Sequence, residues 1–175
     1  MTTLLASIHV IAWSIYVGGA ITMEFILRYA QRTMPPSQIG VVCKRAGSRY
    51  RWVALATLGI IGASGLAMII DTGDAGLRDR LGDPRLSLGD AYGRTLLLLT
   101  IVWAISLFLV SLMAFRLHPA QSKRVRQDMT QEEVAAERQR IGRAIHHMEI
   151  TLRAELVAAV VAMAFGASLH AGGLF

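Results

Sequence analysis

Four histidine or carboxylate side chains lie within the apolar stretches of this 175-residue chain: His9, Glu24, Glu155 and His170. Such groups are costly to remove from water, so each is a functional candidate by default. His9 is followed by Trp13 at i+4 and Tyr16 at i+7, and these spacings put the three on one face of a helix. Gly18-Gly19 follows, and glycines let a helix or a flat ligand approach the backbone closely. His170 ends a second stripe, in which Ala154, Ala158, Ala162, Gly166 and His170 recur every four residues. That stripe reads either as a smooth groove leading to an imidazole or as a plain helix-packing surface.

Taking Arg28 and Arg153 as one common boundary, His9 lies 19 residues and His170 17 residues away from it. At about 1.5 Å per residue these separations are roughly 28 and 26 Å, so the two imidazoles reach one level. Two histidines from two helices can ligate a haem iron from opposite sides or hold a copper ion. The plainer reading has each imidazole hydrogen-bonded to a carbonyl or a lipid headgroup. At the other end lie His118, His146 and His147, either a second metal or haem site or a polar interfacial cluster. Adjacent histidines point about 100° apart on a helix, so only one of His146 and His147 can face a bundle interior.

Glu24 precedes Arg28 by four residues, a favourable ion-pair spacing on a helix. Arg153 and Glu155 reach a similar height, so a Glu24–Arg153 or Arg28–Glu155 pair would lock the first apolar segment to the last. The alternative for these carboxylates is a proton relay. The eight methionines form no MxM or MxxM cluster, and Cys43 is the only thiol, so no dedicated copper-relay path is visible.

The elements that carry these residues follow from hydropathy. Hydrophobic residues make up 54% of the chain and charged residues 17%, well below the quarter or so of an average soluble domain. Mean hydropathy is +0.47. This composition excludes a disordered tail, a fibrous repeat and a typical cytosolic enzyme. A single cysteine excludes an internal disulfide framework and any CxxC motif. Apolar runs over about 3–27, 52–70, 95–115 and 150–172 each approach the roughly 20 residues that cross a bilayer. The first has no basic leader, since its first positive side chain is Arg28, and it is too long for the apolar part of a signal peptide.

A net charge of +6 could point to nucleic acid, but the bases fall between the apolar runs. Between Phe25 and Ile70 there are six bases and no acid: Arg28, Arg32, Lys44, Arg45, Arg49 and Arg51. The third connection is basic again, with Arg116, Lys123, Arg124 and Arg126 followed by Arg138, Arg140 and Arg143. The second carries Asp71, Asp74, Asp79, Asp83 and Asp90 against Arg78, Arg80, Arg85 and Arg94. The positive-inside rule places connections one and three in the cytoplasm, and both termini and the acidic connection outside. Pro35-Pro36 marks a helix stop, and the glycines of 72–84 mark turns, consistent with a small outer cap. Thr130-Gln131-Glu132-Glu133 fits a capping box. Val134, Ile141, Ile145 and Met148 then share a face, which predicts one helix over about 131–169, with about 131–149 in the cytoplasm. Its charges form a solvated face or a contact with anionic lipid or a partner subunit. The expected fold is therefore all-α: one integral membrane four-helix bundle over 1–175, both termini outside, the fourth helix extended into the cytoplasm.

Several of these pieces resemble the copper-resistance D (CopD) family. His9, six residues, Tyr16, one residue and Gly18-Gly19 resemble that family's His-x6-Trp-x-Gly-Gly, with Tyr16 in place of the tryptophan. Tyr92-Gly93-Arg94 with Leu96-Leu97 is similar to its Tyr-Gly-Arg-x-Leu-Leu, and Leu152-Arg153-x-Glu155-Leu156 to its Arg/Glu-bearing helix start. The wider superfamily resembles haem-b membrane proteins, including HemJ-type oxidases and di-haem cytochromes b. The lysine expected there in span three falls at Leu99, which speaks against the HemJ type. The resemblance implies haem b, or alternatively a copper ion, with His9, His170, Tyr16 and Gly19 as cofactor-binding residues. His9 and His170 would be the ligands, with His118, His146 and His147 as further metal candidates. Three functions are expected in order: an electron-transfer or membrane subunit, a copper import or resistance protein, and a non-catalytic scaffold subunit. The expected partners are the bilayer of a bacterial-type plasma membrane, membrane or redox subunits and a second copy of the chain, with no nucleic acid.

Overall fold

The computed structural model describes residues 2–27, 29, 33–71, 89–118, 130–169 and 171–174, with backbone alone at 2, 36–41, 43, 44, 71, 138 and 141. His170, Arg28 and most of the acidic connection therefore lie outside the described residues. All regular structure among the described residues is helical. Helix α1 spans Thr2–Ile21 and passes into a π-helical segment, Thr22–Leu27 (π1); α2 spans Pro36–Asp71. Helix α3 spans Ala91–Leu112 and passes into π2, Met113–Leu117; α4 spans Gln131–Leu169. Segments within these four helices, Thr3–Leu27, Arg45–Ile70, Ala91–Leu117 and Gln131–Leu169, are long and apolar enough to cross a membrane.

Local chemistry sets the helix ends. Pro36 opens α2, where its missing N–H would have had no helical partner. The helix then continues through the basic stretch, so it begins 16 positions before the apolar run that starts at Trp52. Asp90 caps α3 through Gly93 N–H to its Oδ1, 2.8 Å. Thr130 and Glu133 form the reciprocal box at the start of α4. Thr130 N–H donates to Glu133 Oε2 at 2.8 Å and Glu133 N–H to Thr130 Oγ1 at 3.3 Å. After α4, Gly172 and Gly173 take positive φ, 92° and 103°, a backbone that glycine adopts without Cβ strain. This turn brings Leu174 N–H to Thr95 Oγ1, 3.0 Å, and seats Gly173 against the Ala91 backbone at the start of α3.

Helix α1 packs chiefly on α2, and α3 on α4. Their shared core holds Ala12, Tyr16 and Val17 of α1, Ala54, Leu58 and Ile61 of α2, Val110 of α3 and Ala159 of α4. The opposite faces carry exposed apolar side chains such as Val10, Ile60, Phe108 and Val160. In water that arrangement would leave a large apolar surface wetted, whereas lipid matches it. Close approach between α2 and α3 depends on Gly62. A Cβ there would collide with the Trp103 ring, whose Nε1–H donates to Leu58 O at 3.0 Å. Gly19 plays the same part between α1 and α2, since its Cβ would stand 2.6 Å from Tyr50 Cε2.

Candidate functional site

His9 points from α1 toward α2, where a Cβ added at Gly65 would stand 3.5 Å from its ring. Its two nitrogens are engaged differently. Ser64 Oγ gives its own proton to Ile60 O at 2.6 Å, so toward His9 Nδ1, 2.9 Å away, it accepts. The Trp13 indole N–H donates to His9 Nε2 at 3.2 Å. Both contacts select one neutral tautomer, with the proton on Nδ1 and the lone pair on Nε2. Trp13 also stands edge-on to Tyr16, ring centroids 5.8 Å apart. Tyr16 is fully buried one turn further along. The i, i+4, i+7 face of α1 is thus one connected set of rings. Ser64 was not legible as a partner in the sequence, where it is one small hydroxyl in an apolar run.

The histidines at the other end differ from His9. His118 is buried at the end of π2, and its Nδ1 accepts from Arg51 NH1 at 3.2 Å. Arg51 also donates to Ala114 O at 3.2 Å and stacks over Trp52, its guanidinium carbon 5.3 Å from the ring centroid. With Nδ1 accepting, the neutral His118 ring carries its proton on Nε2, and its lone pair is engaged by Arg51 as that of His9 is by Trp13. His146 and His147 are both exposed, their rings 6.1 Å apart, so neither faces the bundle interior. Among the described residues no group of three or more His, Cys, Asp or Glu side chains could hold a metal ion.

The intramembrane-type charges separate into a paired and an unpaired set. Arg153 Nε donates to Glu24 Oε1 at 3.1 Å, which ties π1 to α4. Glu24 lies within the π turn, which begins at Thr22, whose hydroxyl donates to Gly18 O at 2.8 Å. Glu155, two residues past Arg153, is fully buried, and neither carboxyl oxygen has a hydrogen-bond partner among the described residues. The hydroxyls of Tyr16, Tyr50 and Ser106 and the Nε of Arg51 are likewise buried without partners. Tyr50 and Arg51 also line an apolar cavity of about 60 Å³, together with His118, Met148 and Leu152 among others.

No family model, curated protein or solved structure matches the chain.

Proposed function

We propose that this is a multi-pass membrane protein in which His9 holds haem b near the outer face, in an electron-transfer or membrane subunit. The tautomer of His9 carries the reading. A metal-bound histidine needs its lone pair on one nitrogen and a partner for the N–H of the other, and Ser64 is such a partner. One protein ligand is enough for a haem, whose porphyrin supplies the other equatorial nitrogens. A bare copper ion needs several protein ligands, and the described residues gather no such set. Haem therefore ranks ahead of copper, and with it the CopD-like and cytochrome b-like resemblance of the His9 face. When bound, the haem would supply one-electron chemistry. In this reading the basic flanks of π1, α2 and π2 face the cytoplasm of a bacterial-type cell and both termini face outside.

A second reading has its own observation. Trp13 already satisfies Nε2, so the His9–Ser64–Trp13 set is complete as a hydrogen-bonded joint between α1 and α2. The chain would then be a membrane scaffold subunit. A reduced-minus-oxidised spectrum with metal analysis of the purified protein separates these. A sharp α band assigns haem b, stoichiometric copper without a band assigns a copper protein, and neither assigns the joint.

A further inference from the structure

We infer that Glu155 is a proton-binding site inside the membrane. The inference rests on the membrane-spanning reading above but not on any cofactor at His9. Glu155 is buried to 0% exposure, and both its oxygens lack partners among the described residues. An ionised carboxylate without hydrogen bonds or a counter-charge is the form that a low-dielectric interior tolerates least. The group carries no charge once a carboxyl oxygen takes a proton and an O–H bond forms.

The charged and titratable groups on the elements around it do not replace that proton. Arg153 on α4 is bonded to Glu24 of π1. Arg51 of α2 is bonded to His118 and Ala114 O of π2, and Arg116 of π2 and Glu149 of α4 are exposed. Tyr16 of α1, Tyr50 of α2 and Ser106 of α3 are uncharged hydroxyls, each buried without a partner. Tyr16, Val110 and Ala159 belong to one buried cluster. Ser106 and Glu155 lie one turn from Val110 and Ala159 on the same faces.

Infrared spectroscopy of the full chain in lipid nanodiscs at neutral pH tests this. The wild type should show a protonated-carboxyl carbonyl band that shifts in D2O and on ¹³C-labelling of glutamate. The band should be absent in Glu155→Gln and kept in Glu24→Gln. Absence of a protonated-carboxyl band in the wild type overturns the inference, and so does its persistence in Glu155→Gln. Loss of the band when sodium replaces a bulky organic cation at constant pH also overturns it, by making the site a metal-cation site. The isotope shift reads the wild-type protein, so the test survives if Glu155→Gln does not fold. The band is independent of haem, so failure here leaves the His9 reading standing, and failure there leaves this one standing.

Discussion

Arg153 Nε stands 3.1 Å from Glu24 Oε1 across 129 positions of sequence, and this contact ties the end of the first helix to the fourth. Arg153 is 51% exposed and Glu24 12%, so the pair is half-solvated and contributes at most about 1 kcal/mol. Glu24→Gln should lower the unfolding midpoint in detergent by about 2–4 °C, the shift that 1 kcal/mol gives in a chain of this size. Any redox spectrum should be unchanged. A changed spectrum at unchanged stability would make Glu24 part of the chemistry instead.

Glycine spacing gives a sharper packing test. Gly62→Ala should destabilise by about 1–3 kcal/mol, because the new methyl displaces the Trp103 ring and its bond to Leu58 O. Gly59→Ala, one turn away with nothing within 4 Å of the added Cβ, should be neutral or slightly stabilising. Thermal unfolding of the two variants side by side decides it, and equal effects would contradict the α2–α3 contact.

Ser64 and Trp13 act on opposite nitrogens of His9, so their variants should diverge. Ser64→Ala removes the group that holds the Nδ1 proton in place and should weaken haem or metal binding about 10- to 100-fold. Trp13→Phe removes the indole N–H from Nε2 and should leave binding equal or tighter. Titration of the purified variants with haem measures both. Loss of stability in both with no ligand bound in either would favour the structural joint.

Topology follows from charge. Reporter fusions after Arg45 and after Arg126 should both score as cytoplasmic, because basic residues crowd the flanks there. Alkaline-phosphatase activity at either place would invert the assignment.

Hydropathy made the four long helices legible, since an uncharged run such as 95–115 has few other stable fates. The α4 span was legible too, because Thr130 and Glu133 announce its start and only Gly142 and Gly166 interrupt helix formers before Leu169. The early start of α2 was not, because apolar runs mark where a helix meets lipid rather than where it begins. The two π segments were also hidden. They change the step of the backbone hydrogen bonds without changing composition, which hydropathy does not register. At the site, the shared face of His9, Trp13 and Tyr16 was visible from spacing. The cross-helix partners Ser64, for His9, and Arg51, for His118, were not, because helix pairing and register decide which residues meet.

The central claim is that His9 Nε2 is a ligand-bearing nitrogen. A reduced-minus-oxidised spectrum and haem quantification of the wild type and His9→Ala, purified in parallel from detergent, test it most directly. The account predicts a sharp haem-b α band in the wild type and its loss in His9→Ala, with both proteins inserted and equally helical. A wild type with no haem, or a His9→Ala protein that keeps its full band, would contradict it.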